Sequence, residues 1–217
     1  MRRRPSTELL DETDVPTKEA EASLHDIEWV HARLGGRRMV RRRLGPLLAE
    51  LGPGPLTVLD VGCGSGHVVR DVENLGAACW AADLKVAHVR LARRGRALAG
   101  NAFRLPLASR GVDVVFSTLF LHHFAPEELE LLLAESARVA RRAVVAFDLT
   151  RSAVALGIIS ALGPLAFESR LSVADGRASV LQAYTLLEAR AIAARVLPGA
   201  SVARVGPFAW QLVWKRG

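Results

Sequence analysis

The chain has 217 residues, half of them hydrophobic, and a formal net charge of +7 carried almost entirely by arginine. That length fits one domain with a substantial core, and the apolar content excludes an intrinsically disordered chain. No apolar run approaches the roughly 20 residues that span a bilayer.

Residues 1–16 read as a mobile polar tail ending at Pro16, ahead of a single domain over 17–217. Met1-Arg2-Arg3-Arg4 begins like a signal peptide. Glu8, Asp11, Glu12 and Asp14 then stand where an apolar stretch should follow, so the expected location is the cytoplasm. From Thr17 to Leu34, Ala20, Leu24, Ile27, Trp29 and Val30 recur at helical spacing, and Gly35-Gly36 breaks the pattern. A second helix runs from about Arg37 to Leu51 and stops at Gly52-Pro53-Gly54-Pro55, so residues 17–51 form an N-terminal helical part.

Strands and helices then alternate through a core over 56–149. Leu56 to Val61 is an apolar strand, followed by a Gly-rich turn and a helix near His67 to Leu75. Ala77 to Ala82 is the next strand, followed by a helix through Arg94 and a short strand near Leu98 to Asn101. Val112 to Thr118 is a strand, Pro126 to Val139 a helix with proline at a permitted first-turn position, and Ala143 to Phe147 a strand. Residues 150–183 read as a cap-like insertion, whose run Ala153 to Phe167 is a buried or cap helix. A helix from Thr185 to Val196 precedes two strands, Ser201 to Val205 and Phe208 to Trp214. The brief Gly206-Pro207 link makes these an antiparallel hairpin. The fold class is therefore α/β: a Rossmann-like, doubly wound, seven-stranded sheet, mainly parallel, with a C-terminal antiparallel hairpin.

The strongest local signal is Val58-Leu59-Asp60-Val61-Gly62-Cys63-Gly64-Ser65-Gly66. Glycines after a buried strand let the chain turn sharply and let a ligand approach the main chain, although a ligand-free tight turn reads the same way. A dinucleotide fingerprint would need a small residue at position 67, where His67 stands, and Asp60 suits a cationic ligand better than a pyrophosphate. NAD is disfavoured on both counts. Asp83 closes the second strand, where its carboxylate can accept two hydrogen bonds or merely cap the next helix.

With these residues, with Gly100-Asn101-Ala102-Phe103-Arg104-Leu105-Pro106 and with Val112 to Phe124, the chain resembles the class I S-adenosylmethionine-dependent methyltransferases over most of residues 56–214. The resemblance implies S-adenosyl-L-methionine as cofactor. It implies that Asp60, Gly62, Cys63, Gly64 and Gly66 wrap the methionine part, and that Asp83, followed by Leu84, holds the ribose hydroxyls. Asn101 and Ala102 would stand near the adenine amino group, with asparagine where the family commonly has aspartate. Thr118 and the loop after it would face the transferred methyl. Segments 29–37 and 148–152 are similar to a bacterial subgroup near the quinone-biosynthesis type. That likeness implies a quinol, phenol or polyketide-like acceptor, and a place for Arg33, Arg37 or Arg38 near the cofactor carboxylate.

His122 and His123 are the candidate general bases, since either could take a proton from an acceptor hydroxyl. A metal is not expected, because adjacent histidines point differently and no carboxylate cluster joins them. Cys63 and Cys79 read as small buried hydrophobes. The Arg33 to Arg43 cluster reads as an exposed helix face. An RNA methyltransferase using that patch, or a non-catalytic binding protein that kept the fold, are the alternatives to a small-molecule O- or C-methyltransferase. The helices over 17–51 and the insertion are the expected pocket walls, for a lipophilic or aromatic molecule.

Overall fold

Apolar runs pair into one sheet in the computed structural model, which describes residues 1–11, 15–33, 35–92 and 96–217. The strands are β1 (Thr57–Val61), β2 (Ala78–Asp83), β3 (Ala97–Ala99), β4 (Val112–Thr118), β5 (Ala140–Leu149), β6 (Ser201–Gly206) and β7 (Ala209–Lys215). Their order is β3-β2-β1-β4-β5-β7-β6. The first five run parallel, and β7 pairs antiparallel with both β5 and β6. This is the expected seven-stranded class. The reversal beside β1 opens a crevice at the carboxyl ends of β1 and β4, where such sheets hold ligands.

Eight helices surround the sheet among the described residues: α1 (Thr17–Arg33), α2 (Gly36–Leu51), α3 (Val69–Glu73), α4 (Val86–Leu91), α5 (Pro126–Val139), α6 (Ala153–Ala166), α7 (Arg170–Gln182) and α8 (Leu186–Val196). Neighbouring strand residues point to opposite faces, so the uniformly apolar strands feed two cores. Leu59, Val115, Val144 and Trp210 join the layer under α5 and α8. Val58, Val114, Phe116 and Phe147 join the layer under α2 and α3. Cys63 and Cys79 are free and buried, and burial pushes both thiols well up.

Several expectations change. The helix expected to run through Arg94 ends at Leu91 with Ala92 in a turn, and positions 93 and 94 lie outside the described residues. Strand β5 extends beyond Ala143 to Phe147 at both ends, because β4 pairs with Ala140 at one end and β7 with Asp148 and Leu149 at the other. The described part of the N-terminal tail is a packed strap. Arg3 donates to the carbonyls of Gln182, His122 and Phe124, and its guanidinium lies 4.4 Å from the centre of the Tyr184 ring. Asp175 of α7 accepts the Leu9 and Leu10 N–H groups at 2.7 and 2.9 Å, and Glu8 is buried.

Helix α6 is neither buried nor a pocket wall. It packs on α7, leaving Val154, Ile158, Leu162 and Leu165 exposed. No helix among the described residues is long and apolar enough to cross a membrane.

Candidate active site

The chain leaves β1 through a turn in which Gly62, Gly64 and Gly66 have φ of 73°, 52° and 70°, a region that disfavours side chains. The Gly62 and Cys63 N–H groups donate to the Ala82 carbonyl, tying the turn to β2. A Cβ on Gly62 would stand 2.2 Å from the Phe120 ring. One on Gly66 would stand 2.7 Å from the Ala92 Cβ, so Gly66 serves the packing of the turn against the end of α4.

The turn borders a cavity of about 510 Å³, a size suited to small-molecule ligands. Gly62, Cys63, Gly64, Asp83, Leu84, Asn101, Ala102, Thr118, His122 and His123 of the predicted set all lie on its wall. Gly66 and Asp60 do not. Leu10 and Glu8 of the strap and Leu24 and Ile27 of α1 also line it, with Phe103, Phe120 and Phe124. From residues 150–183 only Ser179 reaches the wall, so the insertion is not the apolar lining expected of it.

Asp83 sits at the rim with both oxygens engaged. Oδ2 accepts the Gly64 N–H at 2.9 Å, and Oδ1 accepts the Lys85 N–H at 2.9 Å and faces His88 Nδ1 at 3.3 Å. Burial opposes its charge, but the bonds from His88, Lys85 and Gly64 hold the carboxyl below its usual range. A carboxylate offers about four lone-pair positions, so Asp83 retains capacity toward the cavity. Asp60 lies beneath the turn, wholly buried, and its Oδ1 has no hydrogen-bond partner among the described residues. Burial, then the charge of Asp83, raises its pKa to about 8. An orphaned carboxyl under a glycine turn fits a ligand bearing positive charge. The Asn101 Oδ1 accepts the Phe103 N–H at 2.9 Å and so shapes the loop it occupies.

Across the cavity, β4 ends at Thr118 and the backbone turns through Leu119, a non-glycine residue at φ 51°, into the short turn Leu121–His123. Asp148 at the end of β5 accepts the His122 N–H at 3.0 Å and meets His122 Nδ1 at 2.6 Å. His122 Nε2 faces Glu8 Oε1 at 3.5 Å. Burial works against a charged ring, yet Asp148 and Glu8 carry the His122 pKa up to about 10. The two carboxylates thus favour the charged ring of His122, whereas a general base acts from the neutral one. His123 stacks on His122 with ring centres 4.4 Å apart and is the more exposed of the two.

Glu8 is the site residue that sequence reasoning missed. It also overturns the reason given against a metal, since a carboxylate does join the histidine pair. Asp148 carried a visible signal, a charge closing a buried strand. Glu8 carried none.

Arg37 does not reach the cavity. Its guanidinium grips Asp71 with two bonds at 2.7 and 3.1 Å. Beside it His31 and His67 meet edge to face at 5.0 Å; both His31 nitrogens and His67 Nε2 lack hydrogen-bond partners among the described residues.

Known proteins share this fold. Residues 59–147 match the family described as a methyltransferase domain. Magnesium protoporphyrin IX methyltransferase from Synechocystis PCC 6803, solved with SAH bound, shares 21% identity at a TM-score of 0.61, covering 85% of each chain. A SAM-dependent methyltransferase from Aquifex aeolicus shares 20% identity at 0.56, covering 78% of this chain and 87% of that one. The plantazolicin methyltransferase BamL, in complex with a triazolic desmethylPZN analog and SAH, shares 14% identity at 0.60, covering 93% and 98%. No curated protein sequence matches the chain.

Proposed function

We propose that the chain is an S-adenosylmethionine-dependent class I methyltransferase that methylates an oxygen or carbon of a small aromatic or lipophilic molecule; the match of residues 59–147 to the methyltransferase-domain family supports the first part. The observation that carries this reading is the cavity itself. One wall is the glycine turn with Asp83 and Asn101, and the other is phenylalanine-rich and ends at two histidines.

The cofactor fits the first wall. Gly62 to Ser65 would hold its methionine part over the buried Asp60 carboxyl, Asp83 its ribose, and the Asn101 to Phe103 loop its adenine. When bound, it supplies a methyl already activated by the sulfonium. The protein's part is then to align the acceptor and exclude water.

Phe103, Phe120 and Phe124 pack edge to face at 5.2 and 4.9 Å and offer apolar surface to a flat acceptor. The strap and α1 close that end of the cavity over the acceptor. In the metal-free protein His123 is the residue placed to take the acceptor proton, and His122, charged and held by Asp148, is its neighbour rather than its substitute.

The RNA reading has less support. Among the described lining residues Lys85 is the one lysine and there is no arginine, whereas a phosphate backbone needs a row of cations along its track. BamL is a plantazolicin methyltransferase solved with a triazolic desmethylPZN analog, which supports a small acceptor here.

The test is transfer of labelled methyl from S-adenosylmethionine to panels of phenols, quinols and polyketides, and separately to RNA. Label in a small acceptor, lost in a His123→Ala variant that still binds cofactor, is the expected result. Label in RNA alone overturns the reading.

A further inference from the structure

Glu8, His122 and His123 come from two separate parts of the chain, yet their ligand-type atoms all lie within 4.8 Å of one another on the cavity wall. His122 Nε2 is 3.5 Å and His123 Nδ1 is 4.0 Å from Glu8 Oε1. A tetrahedral site with bonds of about 2.05 Å separates its ligand atoms by about 3.4 Å, so the Glu8–His122 pair already has that spacing, and the other ligand atoms must draw in by up to about 1.4 Å to close on an ion.

The surroundings match those of a metal centre. A ligating histidine usually gives its other ring nitrogen to a carboxylate, which fixes the ring. Asp148 takes that place on His122 Nδ1 at 2.6 Å and accepts the His122 N–H as well. Ligating carboxylates are themselves hydrogen-bonded, and Glu8 Oε1 accepts from the Ser179 hydroxyl at 2.5 Å and the Gln182 amide at 2.8 Å. Two histidines and one carboxylate suit a first-row divalent transition ion, and leave coordination positions open.

We propose that Glu8, His122 and His123 form a binding site for one divalent transition-metal ion, whose open position faces the methyl-transfer cavity. The ion takes the place of the proton on His122 Nε2. It would bind the oxygen of the acceptor and acidify a hydroxyl there, with His123 as ligand instead of base. That role rests on the methyltransferase reading; the binding site does not. Acceptors able to present a hydroxyl, or two neighbouring oxygens, are the class it selects. The strap thereby becomes part of the site, because Glu8 is its only carboxylate ligand.

The experiment titrates chelator-treated protein with Co²⁺, following the visible ligand-field bands, and then displaces the cobalt with Zn²⁺. S-adenosylmethionine binding is measured in parallel on the metal-free protein. The expected result is one equivalent of Co²⁺ giving intense tetrahedral or five-coordinate bands that Zn²⁺ abolishes. Glu8→Gln and His123→Asn should each weaken binding by about tenfold or more, and Asp148→Asn by roughly 10–100-fold. His25→Ala, at an exposed histidine outside the cluster, should leave it unchanged. Circular dichroism checks that each variant is folded, and His123→Asn serves if Glu8→Gln releases the strap. No bands from folded protein, or bands that survive both ligand variants, overturn the proposal. Cofactor binding with no cobalt site removes the metal and leaves the enzyme reading in place.

Discussion

Asp148 holds His122 at two points, taking its backbone N–H at 3.0 Å with one carboxylate oxygen and its Nδ1 at 2.6 Å with the other. Both residues are buried, so their contact fixes the loop after β4 against the end of β5. Asp148→Ala would leave a buried ring short of its partner. Breaking such a pair costs about 3–5 kcal/mol, and urea unfolding should show a loss of that size. His123→Ala, at a more exposed ring, should cost far less. Equal losses from the two would remove the special place given to Asp148.

Acid should destabilise the protein through two buried histidines, with the raised Asp60 carboxyl opposing them. Burial lowers the pKa of His31 to about 4, and burial with the neighbouring His31 lowers that of His67 to about 3. Both take up protons more readily when unfolded, so their contribution is present above about pH 6.5 and is lost as pH falls. His122 is shifted the other way, and its contribution is already complete below about pH 6.5 and lost only as pH climbs toward its raised value. Between about pH 6.5 and pH 5 each lowered histidine should cost on the order of 2 kcal/mol, while Asp60, which keeps its proton only in the fold, offsets about one of them, so stability should drop by on the order of 2 kcal/mol in all. Urea melts at the two pH values check this, and a His31→Asn, His67→Asn double variant should reverse the trend.

Asp60 makes cofactor binding sensitive to pH. With a pKa of about 8 it is largely neutral near pH 7 in the free protein. A cationic ligand above the turn favours the charged carboxylate, so binding should release a proton and tighten between about pH 6 and pH 7.5. Calorimetry in two buffers of different ionisation enthalpy measures the release directly. Asp60→Asn should abolish it, and proton uptake on binding would contradict the argument.

Much of this architecture could be read from residue types. Val112–Thr118 and Pro126–Val139 form the elements expected of them, since a wholly buried strand and a proline-started helix have strong local patterns. The Gly62 turn and the place of Asp83 at the end of β2 were legible because a sharp turn after a buried strand restricts which residues serve there. Glu8 was not, because its partners Ser179 and Gln182 lie more than 170 residues away and nothing in a polar tail announces long-range packing. Helix α6 misled for a related reason. Its composition is that of a core element, but composition does not say which neighbours exist to cover it. Gly66 shows the same limit on a smaller scale, since the close approach of Ala92 that also requires a glycine there cannot be read locally.

The central claim is that the turn after β1 and Asp83 together hold S-adenosylmethionine, and calorimetric titration of the protein and of its Asp83→Ala variant tests it most directly. Wild-type protein should bind S-adenosylmethionine and not NAD. The variant loses ligand hydrogen bonds and the Gly64 N–H anchor, and should bind more weakly by on the order of 2–3 kcal/mol. His88→Ala, which removes only the neighbour of Oδ1, should change the affinity much less. A folded Asp83→Ala protein that binds as tightly as wild type, or a wild type that binds no S-adenosylmethionine, would contradict the account.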